Sequence, residues 1–295
     1  DESNILVRLV SSDGGVIGHG GNLTLTDQNA HAIADNAEAD VTQHGAVVAN
    51  ATYGYRLTPG NRDDGLYVNY ALTHVDLMGK EADALILNAN GESGNAADLS
   101  ATLTGDGDLA IDSQKGQTVT LSNLNNDYRG VTFVRNGNLA MLNDNVLGKT
   151  RELKLAGDTG FDMRGHSQTI AMLTAENGSL THLNGGQLTL TNGGKASGVL
   201  AGDGLLNVAG GTLSISGDNP ELQATTAIMQ GAKVVLDHTL GAGTGNIVAA
   251  GTLSFRSAAG NLYNSLSDAG RVELIDSNVV LAGNNRAFSG QFSVN

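Results

Sequence analysis

Three carboxylates lie close together in the sequence, at Asp106, Asp108 and Asp112. Carboxylate oxygens are the ligands that Ca²⁺ prefers, and a pair of carboxylates performs acid and base catalysis in most glycoside hydrolases. Asp106 and Asp108 would point to the same side of a strand. A similar stretch later in the chain keeps the first as Asp203 but has Leu205 in place of the second. Because a catalytic pair common to both stretches would need both acids, we expect solvent-exposed turn residues that precede a strand.

Other signals of metal or catalytic chemistry are weak. One Gly-Asp-Gly-Asp stretch does not make a calcium-binding nonapeptide array, because each ion in such an array is shared between successive turns. The seven histidines are scattered, and neither a His-Glu-x-x-His metal motif nor a Gly-x-Ser-x-Gly nucleophile elbow occurs. We therefore expect no catalytic residue, no bound metal and no cofactor, and the chain is predicted not to be an enzyme.

A group of tyrosines and acids gives the best candidate for a ligand-binding surface. Aromatic faces beside carboxylates are suited to sugars, although tyrosines of a hairpin also pack simply against neighbouring strands. The candidate residues are Tyr53, Tyr55, Asp63, Asp64, Tyr67 and Tyr70. Residues 66–77 alternate between apolar and polar side chains and follow a turn at 56–61, so residues 52–77 are predicted to form a β-hairpin that leaves the main body.

The elements that would position these residues repeat along the chain. A Gly-x-Leu unit recurs and is followed by short alternating strands. These strands begin at Leu188, Leu213, Val234, Leu253 and Val272, at intervals typical of solenoid repeats. Proline is nearly absent, and neither a leucine-rich-repeat frame nor propeller blades are found. The pattern predicts an all-β chain folded as a right-handed parallel β-helix, with about 20 residues and about 4.8 Å per turn and a length of about 70 Å.

A longer repeat overlies this period. Residues 105–111 are matched by residues 202–208, and an aromatic-x-Gly-x-x-x-Val frame occurs at 128–134 and again at 288–294. The residues to which we assign a structural role in this repeat are Gly105, Gly107, Tyr128, Gly130, Gly202, Gly204, Phe288 and Gly290. We predict N-terminal β-helix turns over 1–100, with an extension or hairpin around 52–77. A regular β-helix over 101–295 would contain repeats at about 105–140, 202–236 and 270–295.

These motifs resemble the passenger-associated repeat of type V autotransporters, and the chain is similar to the AIDA-type adhesins, the group that includes antigen 43. The resemblance covers about residues 60–295 and is carried by Gly-Asp-Gly-x-Leu at 105–109, Asn-Asp-Tyr-x-Gly at 126–130 and Asn-Asp-Asn-Val-Leu-Gly at 143–148. It implies a passenger displayed on the surface of a Gram-negative cell and exported through a C-terminal outer-membrane barrel beyond this sequence. It also implies adhesion, autoaggregation or biofilm formation. The two ends of the sequence suggest a piece of a longer protein.

The charge of the chain restricts its partners. A formal net charge of −14 argues against nucleic acid and anionic lipid, and a sulfated glycan would need a local basic patch, for which Lys149, Arg151 and Lys154 are dispersed candidates. The expected partners are passengers on neighbouring cells, a host glycan or an extracellular-matrix protein. Self-association of acidic rods has to overcome repulsion, so we predict that salt strengthens it. Turn asparagines that would stack into hydrogen-bonded ladders are Asn123, Asn125, Asn126, Asn143 and Asn145.

Three functions remain open from the sequence. The first is adhesion or aggregation through a long polar face of the rod. The second is a polysaccharide lyase or hydrolase built on the same fold. The third is a module that assists folding and secretion, with adhesion located elsewhere in the protein.

Overall fold

The computed structural model describes residues 5–11, 29–32, 36–58, 65–90 and 97–295. Over these residues the chain consists of β-strands joined by turns, and its one helical element is a single 3-10 turn at Glu81–Asp83. No described helix has the length and apolar character needed to cross a membrane. The predicted site residues Asp63 and Asp64 lie outside the described ranges.

Most of the strands form three long parallel sheets that the chain visits in turn, which confirms the predicted all-β parallel β-helix. The first sheet has eleven strands: Leu85–Leu87, Leu109–Asp112, Val131–Asn136, Glu152–Leu155, Met172–Ala175, Gly194–Ala196, Thr212–Ile215, Lys233–Leu236, Thr252–Arg256, Arg271–Ile275 and Gln291–Val294. The second has six: Ala97–Leu99, Thr118–Leu121, Asn138–Met141, Gly160–Asp162, Leu180–His182 and Val199–Ala201. The third has seven: Ser167–Ile170, Gln187–Leu190, Leu205–Val208, Thr225–Ile228, Ile247–Ala249, Leu266–Asp268 and Ala287–Phe288. A pair at Ala259–Leu262 and Asn278–Leu281 forms a small separate sheet.

The strand register of the first sheet explains the period seen in the sequence. Leu213 pairs with Val234, Val234 with Leu253, and Leu253 with Val272, so each of these three intervals is a single turn of the rod. The longer interval from Leu188 to Leu213 is not a turn, and the prediction is wrong there. Leu188 lies in the third sheet, and its neighbour in that sheet is Leu206.

The core is formed by alternate residues of each short strand. In Glu152–Leu155 both leucines are fully buried, while the glutamate and the lysine are only partly buried. The strand at Lys233–Leu236 repeats the same pattern. Because each buried Leu or Val contributes about 1.5–3 kcal/mol, stacked strands of this short length suffice to hold the turns together.

Buried amide side chains fasten one turn to the next. The Oδ1 atom of Asn126 accepts a hydrogen bond from Leu103 N at 2.8 Å, and its Nδ2 donates to Val146 O at 2.8 Å. Asn219 makes the equivalent pair of bonds to the turns on either side of it. The predicted ladder of asparagines bonded to one another is therefore wrong for Asn126, because the buried amides pair with main-chain atoms instead.

The N-terminal sheet joins four antiparallel strands to the body of the rod. Its order is Ile5–Ser11, Gly65–Leu77, Ala46–Thr58 and Asn36–Gln43, and Thr102–Gly105 pairs in parallel with the end of Gly65–Leu77. The predicted antiparallel pair of strands is confirmed, although its first strand begins earlier, at Ala46, and the end of its second strand stays paired with the body. Ten turns separate the first strand of the first sheet from the last, about 48 Å at the usual strand spacing. The rod is shorter than predicted because the described strands before Ala84 belong to this antiparallel sheet.

The side chain of Gln43 closes the exposed edge of the first sheet. Its Nε2 donates to Ile86 O at 3.0 Å and its Oε1 accepts from Ile86 N at 2.7 Å. This pair of bonds imitates a neighbouring strand, so the first strand of the rod does not present unpaired main-chain groups at this position.

The two copies of the long repeat have the same corner conformation, but the strands that follow the corner belong to different sheets. Gly105 and Gly202 both have a φ of +94°, in the region that favours glycine. The strand that follows the first corner, Leu109–Asp112, belongs to the first sheet, whereas Leu205–Val208 belongs to the third sheet. The repeated unit is thus a corner with its flanking strands, and its copies do not stack in one column.

Candidate functional site

A polar groove lies where the turn between Asn36–Gln43 and Ala46–Thr58 meets the body of the rod. Its volume is about 610 Å³, within the usual range of ligand sites. Its lining is mostly amide, carboxylate and hydroxyl side chains, with Ile86 as the one large apolar residue among those described. The lining residues are His44, Ile86, Asn88, Asn90, Asp112, Ser113, Gln114, Lys115, Asn136, Gly137 and Asp158.

The groove is built from the ends of successive strands of the first sheet. Asn88 follows Leu85–Leu87. Asp112 and Asn136 are the last residues of the next two strands, and they pair with each other after a β-bulge between Val134 and Asn136. Asp158 follows the fourth strand of the set. Because parallel strands end at one edge, polar residues at or shortly after the ends of these four strands form a single wall.

Hydrogen bonds between turns hold this wall in place. Asn136 Nδ2 donates to Asp112 Oδ1 at 2.8 Å, and Gln114 N donates to Asn90 Oδ1 at 2.7 Å. The side chains of Gln114, Lys115 and Asp158 make no hydrogen bond or ion pair with the described residues and are exposed. They are therefore available to a ligand rich in hydroxyl groups.

The groove supplies no evident metal centre. Among the residues that the structure describes, no group of three or more His, Cys, Asp or Glu side chains is placed to hold an ion. The groove does contain two carboxylates, Asp112 and Asp158, together with several amides. Its chemistry is that of hydrogen bonding to a polar ligand.

Asp108 corrects the prediction made for the first acidic cluster. Asp106 is an exposed turn acid, paired at 3.3 Å with Arg129, as expected. Asp108 instead is fully buried. Its Oδ1 accepts from Val131 N and its Oδ2 from Glu81 N, both at 2.7 Å. It is a structural acid that joins two turns, and solvation does not explain it.

Of the tyrosine group, Tyr53 and Tyr55 do not line the polar groove. Tyr53 and Tyr55 are half-buried on Ala46–Thr58, and Tyr53 packs against the core. In the strand register Tyr70 lies opposite Tyr55, and Tyr67 lies opposite Thr58. The candidate acids Asp63 and Asp64 fall outside the described residues, so the predicted aromatic and acidic surface stays a prediction.

The repeat glycines lie where adjacent turns approach closely. A Cβ atom on Gly130 would lie 1.9 Å from Gly107 O, and one on Gly107 would lie 2.4 Å from Met78 N. The same holds for Gly204 against Gly186 and for Gly290 against Gly270. Close contact between main chains explains the absence of a side chain at these corners.

Tyr128 and Phe288 occupy the aromatic position of the repeat differently. Phe288 is half-buried and contacts Phe292 edge to face, with ring centroids 5.3 Å apart. Tyr128 is fully buried, and its hydroxyl bonds to Thr132 Oγ1 at 2.7 Å. Thr132 bonds in turn to Thr150 Oγ1 at 2.9 Å. The aromatic position is thus a packing site, with a hydrogen-bonded hydroxyl in the first copy.

The buried phenol makes stability depend on alkaline pH. Burial raises the pKa of Tyr128 well above its ordinary value, and the bond to Thr132 offsets this only in part. The unfolded phenol ionises near pH 10 while the folded one stays neutral, so stability is complete below that pH and falls above it. Above about pH 10, we expect the free energy of unfolding of the unchanged chain to fall more steeply with pH than that of Tyr128→Phe. The difference in slope should be up to about 1.4 kcal/mol per pH unit. Chemical denaturation between pH 9 and 11 measures this.

The control for this measurement is Tyr263→Phe, because Tyr263 is exposed. This variant should keep the pH dependence of the unchanged chain. Equal slopes for the unchanged chain and Tyr128→Phe would show that the buried phenol titrates as it does when unfolded.

Comparison with known proteins gives relatives but no function. No family model matches the chain, and no solved structure matches it. The chain is 49% identical over 255 residues to the uncharacterized protein YuaQ of Escherichia coli (strain K12), covering 86% of the chain and 19% of YuaQ. It is 41% identical over 297 residues to the uncharacterized lipoprotein YdeK of the same organism, covering 100% of the chain and 22% of YdeK. The chain therefore spans about a fifth of the length of these curated relatives.

Most residues of the groove are not predicted by the sequence. Among the groove residues, only Asp112 is identified from the sequence, and it is identified as a member of the cluster with Asp106 and Asp108. The available signal is the distance of 24 residues between Asp112 and Asn136, both at the end of an alternating strand. The contribution of His44 has no local signal, because it depends on how the N-terminal sheet meets the rod.

Proposed function

We propose that the chain is a rod-shaped segment of a surface-displayed passenger of the autotransporter class. Its role would be adhesion, autoaggregation or biofilm formation through polar contacts along the rod. Partners would be passengers on neighbouring cells, a host glycan or an extracellular-matrix protein. A C-terminal outer-membrane barrel outside this sequence would anchor it to a Gram-negative cell.

Two findings support a place in the cell envelope. The relative YdeK bears the name of a lipoprotein, which agrees with a location at an envelope membrane. The chain also corresponds to about a fifth of each relative, as expected for one stretch of a long extended protein. The motifs at 105–109 and 126–130 support the autotransporter class, because they resemble its passenger-associated repeat.

The observation that carries the proposal is the polar wall formed by four successive turns. Its side chains lie at or just beyond the ends of strands that main-chain hydrogen bonds hold in the first sheet. A row of amides and carboxylates can therefore bind a ligand or a second rod, and binding does not require a flexible loop to become ordered. Many weak polar contacts repeated along a rod add up through multivalency.

Beads coated with the purified 295-residue chain test adhesion directly. We expect the beads to agglutinate, or to bind surfaces coated with host glycans or matrix proteins. The variant Asn88→Ala, Gln114→Ala and Asp158→Ala, which removes exposed groove side chains, should reduce this several-fold. A matched variant, Asn125→Ala, Gln223→Ala and Asp218→Ala, removes equivalent exposed groups elsewhere and should retain it. Beads that neither agglutinate nor bind would contradict the proposal.

A polysaccharide-active enzyme is the second candidate, because Asp112 and Asp158 line one groove. Paired carboxylates are the catalytic groups of most glycoside hydrolases. Release of reducing or unsaturated ends from a polysaccharide panel, lost in Asp158→Asn, would support it. Absence of turnover together with agglutination would favour adhesion.

A further inference from the structure

Basic side chains are gathered on one face of an otherwise acidic rod. Among the described strands of the three long sheets, every Lys and Arg lies in the first sheet, and the strands of the second and third sheets contain none. The basic residues are Arg135, Lys154, Lys195, Lys233, Arg256 and Arg271. The same strands carry three carboxylates, at Asp112, Glu152 and Glu273. This face is therefore locally basic although the chain has a net charge of −14.

The register places these cations in a regular pattern. Lys154 pairs with Thr174, which pairs with Lys195. Residues that pair in this way across successive strands form a column along the rod. A second column begins two turns further on, where Lys233 pairs with Thr252 and Thr252 with Arg271. Each column thus has a cation, a threonine and a cation, and the cations lie two strands apart, about 10 Å. All of them alternate with buried residues and point away from the core.

The carboxylates of this face are already engaged. Glu152 Oε2 accepts a hydrogen bond from Thr174 at 2.6 Å, and Asp112 accepts one from Asn136. Glu273 pairs with Lys233 at 3.2 Å. The nearby Ser254 hydroxyl, and after it Lys233, hold the pKa of Glu273 below its ordinary value. The Ser254 hydroxyl itself makes no hydrogen bond with the described residues.

Several cations remain available. Lys195 is exposed and has no partner among the described residues, and Arg256 and Arg271 are exposed as well. At the other end of the face, Arg135 and Lys154 lie over the ring of Phe133, at 4.9 and 5.6 Å from its centre. Lys154, one of the dispersed basic candidates of the sequence, thus belongs to an extended basic surface.

We propose that this basic surface, the outer face of the first sheet, binds a linear acidic polysaccharide lying along the rod. The inference deepens the proposed adhesive function by naming the chemistry of a ligand. The ligand is a polymer because the cations repeat along the axis of the rod. It is weakly charged because one cation occurs about every 10 Å, whereas duplex DNA carries a charge about every 1.7 Å. A dense polyanion would also be repelled by the acidic remainder of the rod.

The test compares chondroitin sulfate, alginate and neutral dextran as probes for binding to the immobilised chain. We expect chondroitin sulfate or alginate to bind at low salt, with affinity that falls at least ten-fold between about 50 and 500 mM NaCl, and dextran not to bind. Preference between the two probes distinguishes a sulfated host glycan from a carboxylated microbial one. Equal binding of dextran, or no binding of either acidic probe, would overturn the inference.

Charge-matched variants locate the surface. The triple variant Lys195→Gln, Arg256→Gln and Arg271→Gln should weaken binding ten-fold or more. The control Lys80→Gln, Arg164→Gln and Arg286→Gln changes net charge equally outside these strands and should weaken it less than three-fold. Thermal unfolding of both variants confirms that each is folded. Equal losses would show a general charge effect and overturn the inference.

Two further outcomes separate this inference from the proposed function. If coated beads agglutinate but no acidic probe binds, the inference fails while the adhesive role stands. If the first triple variant abolishes self-association and the acidic probes do not bind, the surface serves a second copy of the chain, which also overturns the inference.

Discussion

Replacing Asp108 with alanine should destabilise the rod by about 3–5 kcal/mol. The substitution leaves the buried Val131 amide without an acceptor and removes the carboxylate from the partly buried Glu81 amide. Hydrogen bonds to a charged group contribute about 1.5–3 kcal/mol each, and the loss of the carboxylate removes the link between two turns. Urea denaturation followed by circular dichroism measures the change in the free energy of unfolding.

Asp106→Ala is the matched control for this substitution. Asp106 lies two residues away, and its ion pair with Arg129 is exposed on both sides. Such pairs contribute at most about 1 kcal/mol, so this variant should remain close to the unchanged chain. Similar losses for the two substitutions would mean that Asp108 does not hold the turns together.

Gly130→Ala should be at least as damaging. The added Cβ would lie 1.9 Å from Gly107 O, and the neighbour that it meets is main chain. Relief requires two adjacent turns to move apart, which breaks parallel hydrogen bonds near the start of Val131–Asn136. We expect a loss of about 4 kcal/mol or more, or failure to fold, measured by thermal unfolding and by yield of soluble protein.

Gly116→Ala provides the comparison for this glycine. Gly116 has a φ of +82°, and a Cβ added there would have no other atom within 4 Å. The cost of this substitution is therefore conformational only, about 1 kcal/mol. If Gly130→Ala were as mild as Gly116→Ala, close packing of the corners would not explain the repeat glycines.

The period of the fold is readable from the sequence because it is local. Apolar alternation around Leu213, Val234, Leu253 and Val272 fixes the strands, and glycine marks the corners, so the intervals between these strands agree with the register. The sheet to which a given strand belongs is not local information. Leu188 carries the same triplet pattern as Leu213 yet lies in another sheet, because every face of the rod needs alternate buried residues.

The groove and the buried acid are harder to predict because both depend on contacts between turns. Asp108 bonds to atoms 23 and 27 residues away in the chain, and nothing in its immediate sequence separates it from the exposed Asp106. The basic surface lacks a local signal for the same reason. Lys154 and Lys195 become neighbours in one column only when the intervening turn is in register.

Display of the chain on living cells tests the central claim most directly. The 295 residues would be carried to the surface of a non-aggregating Gram-negative strain, with Asp108→Ala as a destabilised control at matched surface level. We expect suspended cells that carry the unchanged chain to settle, or to attach to surfaces coated with glycans or matrix proteins. Settling or attachment should be at least several-fold greater than for cells that carry Asp108→Ala. Equal settling and attachment of the two strains would contradict an adhesive role for this rod.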